Sequence, residues 1–402
     1  MSKIRILVLP SDRTGVGKFR SVEPHIFLQN QNPEDFHVDI DYEPKINDDN
    51  FWKSYDIVHF HRTITKDYVG TPALIQKLNK WGIVTVADID DYWLPTKEHP
   101  AHSMIKQNEL HIKIRDNIKA ANYVTTTTEI FAQEIKKVNK NVFVVPNAIN
   151  PNEPQFKAKT EPSDKLRFGW LGGSSHLHDI KILSDCFSRS ADLNDRYELY
   201  LCGFDTRGTI TEINQQTGEQ RQRDIKPEET VWSEYERIFT RDYKSVDEDY
   251  KKYLLNYTQT PYENEKFYHR VWTQPVTSYA KNYSKFDVSL APLKNHIFNR
   301  MKSQLKVIEA GFYKKAIIAS NIGPYTIDLK HALSYGEFVD GNALLVNEGR
   351  NHSDWAKYIK KLINNPSWAE ELGERLYETV KDKYDLNNVT KIRAEIYKSL
   401  LS

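Results

Sequence analysis

The sequence predicts an α/β protein with two Rossmann-like domains that face each other across a cleft. Short apolar runs alternate with helical patterns along most of the 402 residues, which is the pattern of doubly wound domains. A strand, a glycine-bearing turn and a helix open each half of the chain. A stretch rich in Pro, Lys and Glu at 151–164 separates the halves and is predicted to be a linker.

The first domain is predicted over residues 1–150. Its opening strand, Ile4–Leu9, leads into the turn at Gly15 and Gly17 and then a helix to Leu28. Glycines allow backbone to approach a ligand at a helix N-terminus, so both glycines are candidate ligand contacts. The turn is neither a P-loop nor a G-x-G-x-x-G motif, because required positions carry other residues.

Polar side chains end the next two buried strands. Residues 56–62 end in Arg62, and the strand that starts at Ile83 runs into Asp88, Asp90 and Asp91. Ligands gather at the carboxyl ends of parallel strands, and three close carboxylates are costly to leave unpaired. We therefore predict a site here, in which Arg62 either holds an anionic acceptor or pairs with Asp88 or Asp91.

The rest of the first half continues the alternation. Strands are predicted over 36–42, 123–127 and 141–145, and helices over 68–81, 103–121 and 129–138.

The second domain is predicted over residues 165–385. Its first strand is followed by Gly172, Gly173 and His176 and then by a helix through Arg189. Backbone N–H groups and the helix dipole favour phosphate at such a turn. Residues 204–268 are polar and tyrosine-rich, and we predict an insertion that caps the site or carries oligomer contacts.

Further elements of the second half follow the same pattern. Strands are predicted over 197–203, 287–291 and 316–320, helices over 277–283, 354–364 and 368–381, and a last helix over 386–402.

The most informative stretch runs from 299 to 311. Lys302 and Lys306 are four residues apart, so they are predicted on one face of a helix, with Glu309 three residues further. Cations near a helix start suit a diphosphate, and a carboxylate one turn later can accept both hydroxyls of a ribose. The alternative is an ordinary amphipathic helix with a solvated basic face.

Composition limits the classes of partner. Lys and Arg total 56 against 55 Asp and Glu, so bulk charge indicates neither nucleic acid nor an anionic membrane. Two cysteines without metal spacing indicate a reducing compartment. The apolar run at Ile4–Leu9 is too short for a signal peptide, and no run reaches the roughly 20 residues of a membrane span. We expect a cytoplasmic protein, at most peripheral at the inner face of the cell membrane.

Six short motifs occur in an order that resembles one known family. They are Gly15-Val-Gly17, Asp56-Ile-Val-His59, Val145-Pro-Asn147-Ala, Gly169-Trp-Leu-Gly172-Gly173, Lys302-Ser-Gln-Leu-Lys306-Val-Ile-Glu309-Ala and Asp340-Gly-Asn342-Ala-Leu-Leu-Val. The chain resembles the glycosyltransferases of the GT-B fold, especially the large retaining family 4. The resemblance covers nearly the whole chain except about 204–268.

The resemblance implies a role for each domain. The second domain would bind a nucleotide-diphosphate sugar, UDP- or GDP-linked, and the first a saccharide or lipid-linked glycan acceptor. The final helix would cross back onto the first domain. Lys302, Ser303, Lys306, Glu309 and Asn342 would then belong to the donor site, with Glu309 on the ribose.

On the acceptor side, the resemblance places Asp90 at the catalytic position, with Asp91 and Arg62 beside it. It also implies retention of anomeric configuration without a metal or cofactor, in the synthesis of a surface polysaccharide or glycan. Asp88-Ile-Asp90 is similar to the D-x-D of metal-dependent transferases, but those have a single mixed sheet and this chain alternates strands and helices.

The chain departs from the family pattern at two places. The first Glu of the E-x7-E motif falls at Met301, and the usual Arg and Lys of the turn after the first strand of the second domain are replaced at 172–176. We predict that Lys302, Lys306 and His176 contact the diphosphate instead. Two alternatives stay open: a catalytically silent scaffold that binds a nucleotide sugar or glycan, and a nucleotide-sugar epimerase.

Overall fold

The structure is a computed structural model that describes residues 3–66, 68–193, 195–213, 220–226, 229–240 and 268–401. Within these residues the chain forms two parallel six-stranded sheets with helices packed around them, which confirms the predicted α/β class. The strands of the first sheet are β1 (Ile4–Leu9), β2 (Phe36–Ile40), β3 (Ile57–His61), β4 (Val84–Ile89), β5 (Tyr123–Thr126) and β6 (Val142–Val144). They lie in the order β2-β1-β3-β4-β5-β6.

The helices of the first domain cover this sheet. They are α1 (Glu23–Gln31), which follows a π-helical turn at Gly17–Val22, and α2 (Asp49–Trp52), α3 (Thr71–Lys80), α4 (His102–Gln107), α5 (Leu110–Ala120) and α6 (Glu129–Ile135). One helix was predicted over 103–121, but Glu109 has a φ of 55° and interrupts it. A left-handed residue cannot continue a right-handed helix, so α4 and α5 are separate.

The second sheet repeats the arrangement. The described strands of the second half are β7 (Leu166–Leu171), β8 (Tyr197–Phe204), β9 (Thr209–Ile213), β10 (Gln220–Asp224), β11 (Tyr268–Trp272), β12 (Val288–Ala291), β13 (Ala316–Ser320), β14 (Leu333–Ser334), β15 (Glu337–Phe338) and β16 (Leu344–Val346). The six-stranded sheet has the order β11-β8-β7-β12-β13-β16, while β9–β10 and β14–β15 form two antiparallel pairs.

The helices of the second half are α7 (Leu177–Ile180), α8 (Val231–Thr240), α9 (Ile297–Arg300), α10 (Leu305–Phe312), α11 (Asn351–Asn364), α12 (Pro366–Val380) and α13 (Leu386–Ser399). The helix predicted through Arg189 stops at Ile180, and only short 3-10 turns follow. Asp185, with a φ of 64°, breaks the pattern there. The segment predicted as a helix over 277–283 is a 3-10 helix at Tyr279–Lys285.

Part of the predicted insertion belongs to the domain itself. Trp232, Tyr235 and Phe239 of α8 lie in the hydrophobic core of the second domain, and β11 pairs in parallel with β8. The polar pair β9–β10 is the described part that stands outside this sheet. The prediction for 241–267 lies outside the described residues.

The final helix packs on the first domain. Ala394 and Tyr397 of α13 share a hydrophobic cluster with Ile6. The Tyr397 hydroxyl lies 2.7 Å from Nε2 of His25 and 2.9 Å from Nδ1 of His59. Across the described residues, none of the helices combines the length and the hydrophobicity of a membrane span.

Candidate active site

A cavity of about 430 Å³ lies between the domains. Residues that follow β1 and β4 line it from the first domain, and residues that follow β7, β11 and β12 line it from the second. The carboxyl ends of both sheets therefore face one another, where open parallel sheets bind ligands. Most of the predicted site residues are brought together here: Gly15, Asp90, Asp91, Gly172, Gly173, His176, Lys302, Ser303, Lys306 and Glu309.

The carboxylate of Asp90 is held in place by His61 and Arg62. Its Oδ1 lies 2.9 Å from His61 Nε2 and 2.9 Å from Arg62 Nη2, and His61 Nδ1 is bonded to Ser11 Oγ at 2.8 Å. Burial alone would raise the pKa of Asp90, but the charges of Arg62 and His61 outweigh it and hold that pKa well below its usual range. Asp90 is therefore an ionised and rigid carboxylate.

Asp91 is electrostatically different from its neighbour. Its side chain is 35% exposed against 12% for Asp90, and its Oδ2 lies 3.6 Å from Arg62 Nη2. Burial, together with the negative charge of Asp90, raises the pKa of Asp91. Asp91 is therefore the carboxylate that is open to a ligand and better able to exchange a proton. Arg62 does not line the cavity; it acts through the two carboxylates.

The pairing of Asp88 with Arg62, which the sequence left open, is wrong. Asp88 is fully buried and bound by Arg20, with Nη2 to Oδ1 at 2.6 Å and Nε to Oδ2 at 3.0 Å. The same guanidinium donates to Asn147 Oδ1 at 3.1 Å. Asn147 in turn donates to Ser303 Oγ of the second domain at 3.1 Å. This chain of contacts ties the first sheet to the domain junction.

Lys306 lines the cavity from the second domain. Its Nζ donates to the carbonyl oxygen of Leu171 and lies 5.1 Å from the centroid of the Trp170 ring. Burial lowers the pKa of this amine to about 8, although the charge of Glu309 acts in the opposite direction. A Cβ at Gly172 would lie 2.6 Å from the Trp170 ring and 3.2 Å from Nζ, so a glycine permits this close packing.

Lys302 is not on the helix that carries Lys306, contrary to the prediction. Helix α10 begins at Leu305, and Lys302 follows the end of α9. The backbone N–H of Met301 donates to carbonyls inside α9 and closes it there. The Asn147 contact then holds Ser303 toward the first domain. Lys302 still reaches the cavity, but from this loop.

Glu309 is held by two tyrosines that the sequence analysis did not identify. The Tyr279 hydroxyl donates to Oε1, and the Tyr283 hydroxyl donates to Oε2 at 3.0 Å. Only 3% of Glu309 is exposed, and burial raises its pKa while the two hydroxyls act against that rise. Tyr279 lines the cavity beside Glu309. The two tyrosines are four residues apart in the sequence, and this spacing is the feature that could have indicated that they lie on the same side of a helix.

Other residues on the cavity wall were not among the predicted site residues. They are Val16, Phe19, Arg20, Asn147, Trp170, Leu171, Gly203, Thr273, Gln274, Tyr279, Asn282, Pro292, Leu293, Leu305 and Tyr325. Among these, Asn282 is 3% exposed, and its Nδ2 has no hydrogen-bond partner within the described part of the chain.

Gly17 takes part in the hydrogen bonds of the turn in which it lies. Its backbone N–H donates to Asp12 Oδ1 at 3.1 Å, and that carboxylate also accepts from the backbone of Thr14 at 2.7 Å. A Cβ at Gly17 would lie 1.9 Å from the carbonyl oxygen of Asp12. An internal carboxylate thus occupies the N–H groups predicted for phosphate. Gly15, by contrast, lies on the cavity wall.

Asn342 lies away from the cavity. Its Oδ1 accepts from the backbone of Lys330 at 2.7 Å, and its Nδ2 donates to Asp328 O at 2.9 Å and to Thr379 at 3.0 Å. With its amide used in this way, the structure assigns Asn342 to the support of a loop.

His178, Asp179 and His296 form a cluster whose possible metal-ligating atoms lie within 4.8 Å of one another. His296 Nδ1 accepts the backbone N–H of Asn299 at 3.2 Å, so Nε2 of the neutral ring carries the proton. Asp179 Oδ1 already accepts from Lys294 N at 2.9 Å and Asn299 Nδ2 at 2.7 Å. A cation requires unprotonated nitrogens and available lone pairs, so this cluster fits a cation poorly.

Solved structures share this architecture along their whole length. Anabaena HepE in complex with UDP and glucose is 12% identical, with a TM-score of 0.59, and the match covers 99% of this chain and 100% of HepE. A glycosyltransferase from Rickettsia africae is 13% identical, with a TM-score of 0.58 and 100% of both chains covered. The catalytic domain of Arabidopsis thaliana starch synthase IV, bound to ADP and acarbose, is 10% identical, with a TM-score of 0.57, over 100% of this chain and 99% of that one.

No protein-family model matches the chain, and no curated protein sequence matches it either. The structural likeness, at these low identities, concerns the fold. The two six-stranded sheets, the cleft between their carboxyl ends and the returning C-terminal helix show that the chain has the GT-B fold.

Proposed function

We propose that the protein is a glycosyltransferase that moves a sugar from a UDP- or GDP-linked donor to a saccharide or lipid-linked glycan acceptor. The observation that carries this proposal is the interdomain cavity with opposite chemistry on its walls. Lys302, Lys306 and Glu309 line it on one side, and Asp90 and Asp91 line it on the other. Its volume of about 430 Å³ falls within the roughly 300–1,000 Å³ of small-molecule sites.

The second domain would bind the donor. The ammonium groups of Lys302 and Lys306 would neutralise the diphosphate and stabilise it as a leaving group. Glu309 would accept hydrogen bonds from the ribose hydroxyls. With these cations in place, the proposed reaction is independent of a divalent metal. HepE, crystallised with UDP and glucose, and starch synthase IV, crystallised with ADP, support a nucleotide-linked donor in this fold.

The first domain would orient the acceptor. Asp91 faces the cavity and would hold the attacking hydroxyl, while Asp90, fixed by Arg62 and His61, would stabilise positive charge on the reacting sugar. The proposed reaction retains the anomeric configuration, with the leaving phosphate as the base. Surface polysaccharide or another glycan would be the product class.

A donor screen tests the proposal. We would record thermal unfolding with UDP, GDP, ADP, CMP and their common sugars for the wild type, Glu309→Ala and the exposed control Glu371→Ala. A ligand at 100 times its dissociation constant adds about 2.7 kcal/mol of stability. We expect a shift with a UDP or GDP compound that Glu309→Ala loses and Glu371→Ala keeps. No shift with any nucleotide would refute the donor site.

Turnover of the donor that binds separates the transferase from a silent scaffold of the same fold. Asp91→Asn should lower kcat about 100-fold, the lower range for loss of an acid–base or orienting group, and leave donor affinity unchanged. Asp116→Asn, at an exposed position of α5, is the matched control. Chelation with EDTA should leave the wild-type rate intact. Donor binding without transfer or hydrolysis would favour the scaffold, and release of an epimerised sugar would favour the epimerase.

A further inference from the structure

We propose that binding of the nucleotide sugar loads a proton onto Nε2 of His176, which is a bare lone pair in the free protein because Nδ1 carries the hydrogen that Asp179 accepts. The inference rests on the proposed function, because it assigns the diphosphate of the donor to this part of the cavity. It adds a proton-coupled contact to the donor site and gives Asp179 the role of a positioning residue.

The geometry of Asp179 makes it an acceptor only. Its side chain is 1% exposed. Oδ1 accepts the backbone N–H of Lys294 and the amide of Asn299, while Oδ2 lies 2.9 Å from Nδ1 of His176. Burial alone would raise the pKa of Asp179, but the hydrogen bond from His176 and the one from the backbone of Lys294 outweigh burial and hold that pKa below its usual range.

An ionised Asp179 decides the tautomer of His176. Nδ1 must carry the hydrogen that Asp179 accepts, so Nε2 of the neutral ring is a bare lone pair. The backbone N–H of His176 donates to the Tyr235 hydroxyl at 2.9 Å, which fixes the residue against α8. The ring lines the cavity with Gly173 and Lys302. The free protein therefore presents an acceptor on a wall where an anion is expected.

The charged and titratable groups that face the ring from the surrounding elements are Asp179, Tyr235, Lys302 and Lys306. Burial and the charge of Lys302 lower the pKa of His176 to about 3, with Lys306 adding to the effect and Asp179 opposing it. The ring is therefore neutral in the free protein. A bound diphosphate would offset the charges of both lysines, and its own negative charge would stabilise the imidazolium against the effect of burial.

A phosphate oxygen and a bare Nε2 are both acceptors and repel each other. Uptake of one proton converts this contact into a charge-assisted hydrogen bond between imidazolium and phosphate, the stronger class of hydrogen bond. The proton comes from solvent, and no covalent bond changes. Because bound His176 then has a higher pKa than free His176, the contribution of His176 to donor affinity should fall about tenfold per pH unit between these two pKa values and be constant above the pKa of the complex.

Isothermal titration calorimetry measures the proton directly. UDP-glucose and GDP-mannose would be titrated at pH about 6.5 in PIPES, HEPES and Tris buffers, and the slope of binding enthalpy against buffer ionisation enthalpy counts the protons taken up. The diphosphate of these donors is a diester that does not titrate near this pH, so the proton binds to the protein. We expect about one proton for the wild type with the donor that binds.

His176→Gln is the decisive variant, because a glutamine amide donates to phosphate without gaining a proton. We expect it to bind the donor within about threefold of the wild type with a slope near zero. His37→Gln, at an exposed position remote from the cavity, should keep the wild-type slope. Unchanged circular dichroism and thermal unfolding would confirm that the variant is folded.

Failure of this inference is distinguishable from failure of the proposed function. Donor binding with a wild-type slope of zero would overturn the proton step and leave the transferase proposal intact. Proton uptake that persists in His176→Gln would overturn the assignment to this residue. Binding of neither donor to the wild type would refute both the donor site and the inference that rests on it.

Discussion

Replacing Tyr279 by phenylalanine should weaken the folded state and tighten nucleotide binding. Both carboxylate oxygens of Glu309 are occupied, Oε1 by the Tyr279 hydroxyl and Oε2 by the Tyr283 hydroxyl. Tyr279 lines the cavity, whereas Tyr283 is 1% exposed and lies outside the cavity wall. The Tyr279 hydroxyl thus covers the carboxylate on its cavity side, and we expect a ribose that binds Glu309 to displace it.

The size of the effect follows from the strength of this bond. A hydrogen bond to a charged group contributes about 1.5–3 kcal/mol to stability, so Tyr279→Phe should lower the free energy of unfolding by about that amount. In the variant there is no Tyr279 hydroxyl for the ribose to displace. The free energy needed to break that hydrogen bond is therefore absent from the binding free energy. If only 1.4 kcal/mol of this free energy is gained by binding, the dissociation constant falls about tenfold.

Urea unfolding and calorimetric titration with UDP and GDP measure the two quantities on the same preparations. Tyr283→Phe is the matched control, because it removes the other hydrogen bond to Glu309 at a position that the ligand does not reach. It should lose similar stability without a gain in affinity. Weaker nucleotide binding in Tyr279→Phe would refute the displacement and show that the hydroxyl itself contacts the nucleotide.

Two further predictions concern pH. Because burial lowers the pKa of Lys306 to about 8, its charge is lost as the pH rises through that value, so donor affinity should fall about fivefold between pH 8 and 9. The same titration on Lys306→Gln should show no such fall, and a flat wild-type profile would contradict a role in diphosphate binding. Burial also lowers the pKa of His25 and His59 well below its usual value, and both are fully buried. Above about pH 6.5 both histidines are neutral in the folded and the unfolded chain, so they do not change the free energy of unfolding. As the pH falls below that value, only the unfolded chain binds these protons, so the free energy of unfolding decreases. We expect each to cost about 2 kcal/mol at pH 5 in urea unfolding, and equal stability at pH 5 and 7.5 would contradict this.

Elements that are buried on both faces were predictable from the sequence. The strands Ile4–Leu9 and Ala316–Ser320 have the predicted bounds, because a continuous apolar run between turn signals has few other structures open to it. The helix predicted over 103–121 is interrupted at Glu109, and the one predicted through Arg189 ends at Ile180, with a left-handed residue at Asp185 before the predicted end. Neither residue is glycine, so the sequence carries no local mark of the left-handed conformation.

Position along the chain was enough to predict several residues that line the cavity. Strand ends brought Asp90 and Asp91 to the cavity, and helix spacing brought Lys306 and Glu309 there. The assignment of Gly17 failed for another reason. The group that takes its N–H is a carboxylate five residues earlier, and such a hydrogen bond depends on the folded path of the loop. Pairing between distant residues, such as Arg20 with Asp88, is invisible to local patterns for the same reason.

Met301, where the chain departs from the E-x7-E motif, has a structural explanation. It is 8% exposed and belongs to one hydrophobic cluster with Ile89 and Trp93 of the first domain. A glutamate in this apolar cluster would bury a charge that the surrounding side chains cannot pair, which costs several kcal/mol. The methionine instead adds apolar area to the contact between the domains. The missing carboxylate and the apolar contact between the domains therefore have one cause.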